Sequence, residues 1–132
     1  MLKPLLLTAA ALALVAPAIA QRGPRTERVE FAPRHSFKII TGTIKGHDAV
    51  RYLLAARGGQ KLKVRLQTGN PSNYFNVTAP GAQAAVFVGS SSGNSFTFTI
   101  PSKGDYAIDV YLMRDAARRL ENAHYTLTVE LF

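Results

Sequence analysis

The sequence predicts an all-β protein: an antiparallel β-sandwich of about eight strands, with one short helical turn in a loop near the C-terminus. From Arg28 onwards, short runs of β-type residues alternate with turn signals at roughly ten-residue spacing. Four of these runs alternate between apolar and polar residues, as expected for strands with one buried and one solvated face. The chain has no cysteine, so packing and not disulfide bonds must stabilise it.

The first twenty residues have the pattern of a signal peptide. Lys3 supplies a positive charge, an apolar run extends from Leu5 to Val15, and Ala18-Ile19-Ala20 matches a small-x-small cleavage site. The apolar run is shorter than the about 20 residues that a transmembrane helix needs. No cysteine follows it that could carry a lipid. We therefore expect cleavage before Gln21 and no membrane anchor afterwards.

The remainder is long enough for one domain with one hydrophobic core. We expect residues 21–27, which are polar and contain Gly and Pro, to form a flexible leader, and residues 28–132 to form the domain. The whole sequence has a formal net charge of +8, and removal of residues 1–20 leaves +7. Such a charge is compatible with an anionic polymer, an acidic protein partner or simple solubility. Nothing resembles a nucleic-acid-binding signature, so no nucleic-acid partner is expected.

The strands follow from the alternation. The clearest apolar faces are Leu62, Val64 and Leu66; Phe96, Phe98 and Ile100; Tyr106, Ile108, Val110 and Leu112; and Tyr125, Leu127, Val129 and Leu131. The core prediction comprises Leu62, Val64, Phe98, Ile108, Val110, Leu127 and Val129. Residues 48–56 have apolar positions at both helical and strand spacing, and we interpret them as a strand because turn signals flank them. Residues 114–123 are charged and favour a helical turn between the last two strands.

No motif in the chain predicts catalysis. Gly89–Gly93 matches the spacing of a nucleophile elbow, but that elbow needs a strand-to-helix turn, and residues 94–100 alternate as a strand. We interpret it as a serine-rich turn. The three histidines, His35, His47 and His124, never fall in a ligand-like pair, so we expect neither a metal site nor a cofactor.

A basic stripe, formed by Lys61, Lys63 and Arg65, lies on the predicted solvent face of one strand. One interpretation is a solvated edge strand whose charges discourage pairing with other chains. The other is a partner-binding face. Combined with exposed Tyr74 or Tyr111 as a stacking surface, such a face would suit a module that binds carbohydrate or another envelope polymer.

Arg114 and Arg118 are four residues apart, so on a helical turn their side chains project side by side. The planar guanidinium group of arginine donates two hydrogen bonds at fixed geometry and is suited to binding carboxylates. The alternative is that Arg118 or Arg119 pairs with a nearby acidic residue and only holds its own loop in place. The residues alone leave both interpretations open.

Several short segments match a known protein family in order along the chain. They are Val29-Glu30-Phe31, residues 42–48 (Gly-Thr-Ile-Lys-Gly-His-Asp), residues 55–60, Ile100-Pro101, Gly104-Asp105-Tyr106 and residues 114–118 before the last strand. With these segments the chain resembles the periplasmic inhibitors of g-type lysozyme. The resemblance implies a β-sandwich that blocks the substrate cleft of a lysozyme, without turnover and without a cofactor.

The resemblance also implies which residues bind the partner. In that family two arginines four residues apart, and a tyrosine in an Ile-Lys-Gly-Tyr-Asp turn, are associated with inhibition. Arg114 and Arg118 occupy the arginine positions, and His47 stands where the tyrosine would be. The expected function is therefore periplasmic inhibition of lysozyme, g-type favoured. The alternative is a non-catalytic module that binds carbohydrate or the cell envelope.

Overall fold

The computed structural model describes residues 25–132. The predicted signal peptide and residues 21–24 of the predicted leader lie outside this range. The elements are β1 (Arg25–Arg28), β2 (Phe37–Lys45), β3 (Val50–Ala56), β4 (Lys61–Thr68), β5 (Asn73–Thr78), β6 (Phe87–Val88), α1 (Gly89–Ser92), β7 (Ser95–Thr99), β8 (Gly104–Leu112), α2 (Arg114–Arg118) and β9 (Asn122–Leu131). Within the described range no helix is long and apolar enough to cross a bilayer.

The strands form two sheets packed around a shared apolar core. Sheet A has the order β1-β3-β8-β5-β6, and sheet B has the order β2-β9-β4-β7. All neighbouring strands are antiparallel except β1 and β3, which are parallel. The predicted antiparallel sandwich is thus confirmed. The prediction of about eight strands came close to the nine that residues 25–132 contain, two of which, β1 and β6, are very short.

The core consists of the inward-facing residues of both sheets. Six of the seven residues predicted to be buried are at most 1% exposed: Leu62, Val64, Ile108, Val110, Leu127 and Val129. Phe98 is only half-buried, because it lies on β7, which is an edge strand of sheet B. The strand predicted over residues 48–56 is confirmed as β3, and the predicted helical turn is confirmed as α2.

One buried hydrogen bond joins the two sheets. The hydroxyl groups of Tyr52 in β3 and Tyr125 in β9 lie 2.6 Å apart in the core. Burial raises the pKa of both hydroxyls, so the bond joins two neutral groups. Gly42 makes room for this contact, because a Cβ at that position would lie 2.5 Å from Cζ of Tyr125.

The domain begins earlier than the sequence predicted. Residues 25–27, assigned to the flexible leader, form β1 together with Arg28. The strand is held by backbone bonds to β3, including one from the Val29 amide to the Leu53 carbonyl at 2.8 Å. Arg28 also donates two hydrogen bonds to the Asp105 carboxylate, at 2.7 and 3.2 Å. All four side chains of β1 are exposed, so no apolar pattern marks this strand in the sequence.

The interpretation of the basic stripe as a solvated edge is wrong. Its strand, β4, lies inside sheet B and pairs with β9 on one side and β7 on the other. Lys61, Lys63 and Arg65 are exposed, as predicted, but they project from the middle of the outer face of sheet B. The alternation of a strand shows which face is solvated, whereas its neighbours depend on pairing with distant segments.

Candidate functional site

Three loops meet at one end of the sandwich: the turn between β2 and β3, the loop between β4 and β5, and the loop between β8 and β9 that contains α2. The backbone amide of Gly46 in the first donates to the Glu121 carbonyl in the third, at 2.9 Å. Asn70 in the second donates from Nδ2 to Oε1 of Glu121 at 3.1 Å and to the Asn122 carbonyl at 3.0 Å. These bonds connect the three loops into one surface.

The helix α2 presents its basic residues to solvent. Ala116 and Ala117 are each 1% exposed and pack against the core, so the opposite side of the helix faces outwards. Arg114 is the first residue of α2 and Arg118 the last, and both side chains are exposed. The structure therefore places the two predicted arginines on the outer side of one helical turn.

The two arginines differ in their partners. Arg118 forms an exposed ion pair with Asp115 within α2. Arg114 makes no ion pair or side-chain hydrogen bond with any of residues 25–132. Exposed ion pairs contribute little to stability, so Arg118 could exchange Asp115 for another carboxylate at small cost. The self-pairing alternative is thus realised for both arginines that it named, because Arg118 pairs with Asp115 and Arg119 pairs with Glu121.

Arg119 holds the loop in place. Its guanidinium group pairs with the Glu121 carboxylate at 2.8 Å, and that carboxylate also accepts the bond from Asn70. Both contacts hold the pKa of Glu121 below its ordinary value, and the contact with Arg119 has the larger effect. A group whose pKa is lower in the folded state stabilises the fold at higher pH, and this contribution disappears as the pH falls through the folded-state pKa.

We expect the pKa of Glu121 to rise in Arg119→Ala, because the largest cause of its depression is then removed. The measurement is an NMR titration of the Glu121 side-chain carboxyl carbon from neutral pH downwards. In the wild-type protein the midpoint should lie below 4.5, the ordinary value. Lys103→Ala serves as the control and should leave this midpoint unchanged. An identical midpoint in Arg119→Ala and wild type would show that the ion pair does not form in solution.

His47 lies in the turn next to α2. The turn is closed by a bond from the Asp48 amide to the Lys45 carbonyl at 3.1 Å, and Gly46 supplies the left-handed conformation with φ +59°. Gly46 is buried against the α2 loop, whereas His47 beside it is exposed. The structure therefore brings the third predicted partner-binding residue to the same end of the sandwich as the two arginines.

An open depression of about 640 Å³ lies beside α2. Its lining residues are Ser72, Met113, Arg114, Asp115, Ala116, Arg118 and Arg119. The lining contains three arginines and one aspartate, so its net charge is positive, and Met113, which is 43% exposed, makes part of it apolar. Such a surface suits an acidic protein partner better than a small apolar ligand.

The sequence does not indicate which residues hold this surface together. The side chain of Asn70 connects the loop between β4 and β5 to the loop between β8 and β9. No local pattern points to that bridge, because Asn70 and Glu121 are distant in sequence. Leu120, which packs next to Gly46, was not singled out either.

The surface proposed for carbohydrate binding is not assembled. Tyr74 and Tyr111 are cross-strand neighbours on the outer face of sheet A, whereas the basic stripe lies on the outer face of sheet B. Both tyrosines are half-buried, and the Tyr111 hydroxyl donates to Oδ1 of Asn76 at 3.0 Å. The aromatic and basic parts of that hypothesis therefore face in opposite directions.

The serine-rich segment and the histidines are separate features. Gly89–Ser92 forms the one-turn helix α1 and not the simple turn that we expected, and the predicted strand β7 follows it. Among residues 25–132, no hydrogen bond connects Ser91 to a histidine side chain. The hydroxyl that does bond to a histidine in this range is that of Thr43, whose Oγ1 lies 2.8 Å from Nδ1 of His124. Within the same range, no three histidine or carboxylate residues form a group that could hold a metal ion.

Comparison with known proteins identifies the fold and its relatives. No family model matches the chain. The crystal structure of PliG from Aeromonas hydrophila, described as a periplasmic lysozyme inhibitor of g-type lysozyme, is 33% identical, with a TM-score of 0.74 over 82% of this chain and 96% of that chain. PliG from Salmonella Typhimurium, described in the same words, is 24% identical, with a TM-score of 0.66 over 83% and 100% of the two chains.

A curated relative agrees with the two structures. The inhibitor of g-type lysozyme from Escherichia coli is 27% identical over 106 residues, which is 78% of each chain. The family resemblance found in the sequence is thus confirmed, and with it the sandwich fold that the resemblance implied. At 33% identity over almost the whole Aeromonas protein, the chain belongs to the family of periplasmic inhibitors of g-type lysozyme.

Proposed function

We propose that this protein inhibits g-type lysozyme in the periplasm by binding the enzyme and blocking its substrate cleft. The observation that carries this proposal is the 33% identity to the Aeromonas inhibitor across 96% of that chain. The protein acts as a binding partner and not as an enzyme. Its relatives are likewise named as inhibitors. It needs no cofactor for this function.

The proposed contact surface is the end of the sandwich where the three loops meet. Arg114, Arg118 and His47 are its partner-binding residues. Glycosidases carry carboxylic acids in their substrate clefts, and an exposed arginine pair matches such groups in charge and in hydrogen-bond geometry. Arg114 supports this role because it has no acidic partner within residues 25–132.

The surface is also prepared for binding. The bonds that Glu121 makes with Asn70, Arg119 and Gly46 restrict the loops before a partner arrives. A loop that is already ordered loses less conformational entropy on association. The rigid support under the arginines therefore favours tight binding without adding a contact.

Export follows from the N-terminal pattern. We propose that residues 1–20 are a signal peptide removed during transport, and that cleavage before Gln21 releases the protein into the periplasm. The folded domain then includes at least residues 25–132, with residues 21–24 joining it to the new N-terminus. This location is that of the Aeromonas and Salmonella inhibitors.

The function is tested with protein purified from a periplasmic extract, whose intact mass also reports whether the chain starts at Gln21. The purified protein is mixed with c-, g- and i-type lysozymes, and lysis of bacterial cell walls is followed by turbidity. We expect inhibition of the g-type enzyme and weaker or no inhibition of the other two. Undiminished lysis by g-type lysozyme at a large molar excess of the protein would contradict the proposal.

His47→Tyr is expected to strengthen inhibition of g-type lysozyme. Tyrosine offers a larger aromatic surface and a hydroxyl donor, both of which favour binding at interfaces. The position is exposed, so the larger ring should not disturb the turn. The inhibition constant is compared with that of wild type and of His35→Tyr, a control outside the three loops. Equal inhibition by His47→Tyr would place His47 outside the contact, and weaker inhibition would also contradict the prediction.

A further inference from the structure

The helix α2 ends in a Schellman motif with an unusual residue in it. The Leu120 amide donates to the Ala117 carbonyl at 3.0 Å, and the Glu121 amide donates to the Ala116 carbonyl at 3.1 Å. In this motif the residue at the position of Leu120 adopts a left-handed conformation and is usually glycine. Leu120 has a φ of +56°, which is strained for a residue with a Cβ atom.

Leu120 is also exposed. At 61%, it is the most exposed large apolar side chain among residues 25–132. The folded domain therefore carries a leucine where both the backbone and the solvent favour another residue. Backbone strain of this kind is concentrated at functional sites, where the function of the residue outweighs the cost of the strain.

Leu120 lies next to the residues proposed to bind the partner. Its Cδ2 atom lies 3.1 Å from the point where a Cβ of Gly46 would be, so the side chain rests against the turn that carries His47. It follows the helix of Arg114 and Arg118 by two residues. Leu120 thus stands between the two parts of the proposed contact surface.

We propose that Leu120 is an apolar contact residue of the inhibitory surface, and that it packs against apolar side chains at the rim of the lysozyme substrate cleft. The inference rests on the proposed function, because it assumes the same partner. Protein interfaces combine charged groups with a few apolar residues that exclude water around them. A leucine held by a helix cap loses little freedom on binding, which favours this role.

The alternative is that Leu120 only packs the turn against α2. The two roles differ in what Leu120→Gly should do. Glycine adopts a positive φ without strain, so the cap remains and the strain is released. If Leu120 contacts lysozyme, the variant keeps or raises the wild-type Tm and its inhibition weakens by roughly tenfold or more. If Leu120 is only structural, the Tm falls and the folded fraction inhibits normally.

Two further variants separate apolar contact from backbone effects. Asparagine tolerates the left-handed conformation but is polar, so Leu120→Asn should also lose inhibition. Methionine keeps an apolar side chain, so Leu120→Met should retain most of it. Ile39→Thr is the control, since Ile39 is 59% exposed on β2 and lies outside the three loops; it should inhibit as wild type does.

The measured quantities are the inhibition constant against g-type lysozyme and the Tm of each variant. Wild-type inhibition by Leu120→Gly or Leu120→Asn would overturn the inference and leave the proposed function intact. A lower Tm of Leu120→Gly with normal inhibition by its folded fraction would do the same. A wild-type protein that inhibits no g-type lysozyme would overturn the proposed function, and the inference with it.

Discussion

Arg114→Ala is expected to fold as the wild-type protein does and to lose most of its inhibition of g-type lysozyme. Truncating one partner of a buried, hydrogen-bonded charge pair costs roughly 2–5 kcal/mol of binding free energy, mostly because the other charge is left desolvated and unpaired. This range corresponds to an inhibition constant about 30-fold to a few thousand-fold higher. The Tm should not change, because Arg114 has no partner within residues 25–132 to lose.

Arg118→Ala tests whether the second arginine binds lysozyme or only pairs with Asp115 within α2. If Arg118 binds lysozyme, this variant also folds normally and loses inhibition, since an exposed ion pair contributes little to the fold. The control is Lys103→Ala, an exposed lysine in the turn before β8, at the other end of the sandwich from α2. A reduced Tm of Arg118→Ala with intact inhibition by its folded fraction would assign Arg118 to the loop alone.

Val110→Asp is expected to unfold the domain. Val110 is fully buried in β8, opposite Val50 of β3 on one side and Phe75 of β5 on the other, and all three lie in the core. A carboxylate there would have no partner, and burying a charge without one costs several kcal/mol or more. The total stability of a domain is about 5–15 kcal/mol, so this single change removes a large part of it. Circular dichroism should show the loss of β-structure at room temperature.

The same strand shows why the position matters more than the residue type. Asp105 and Asp109 lie on the outer face of β8, where their carboxylates pair with Arg28 and Arg51. Thr97→Asp, on the exposed face of β7, provides the matched control and should keep close to the wild-type Tm. A Val110→Asp variant with the wild-type Tm would mean that β8 has a different register from the one described.

Five of the nine strands within residues 25–132, namely β3, β4, β7, β8 and β9, were predicted from the sequence because their signal is local. Alternation at Leu62, Val64 and Leu66 requires only that one face of β4 is buried, and the structure shows that face in the core. The helical turn at α2 was predicted in the same way, from neighbouring residues. The spacing of Arg114 and Arg118 on that turn needs no knowledge of the rest of the fold.

Only the tertiary structure decided which of these elements meet. The sequence did not show that β4 lies inside sheet B, that Phe98 sits on an edge strand, or that residues 25–27 add a parallel strand with exposed side chains. It also did not show that Gly46 and Glu121 are bonded across loops far apart in the chain.

The physical reason is the range of the interactions. Periodicity and turn chemistry act between residues a few positions apart, so the sequence by itself determined five of the strands, the helical turn and the candidate arginines. Sheet order and loop contacts depend on pairs such as Asn70 with Glu121, whose meeting requires the whole chain to fold. The sequence therefore predicted the residues of the proposed partner-binding surface one by one, and the fold places them at one end of the sandwich.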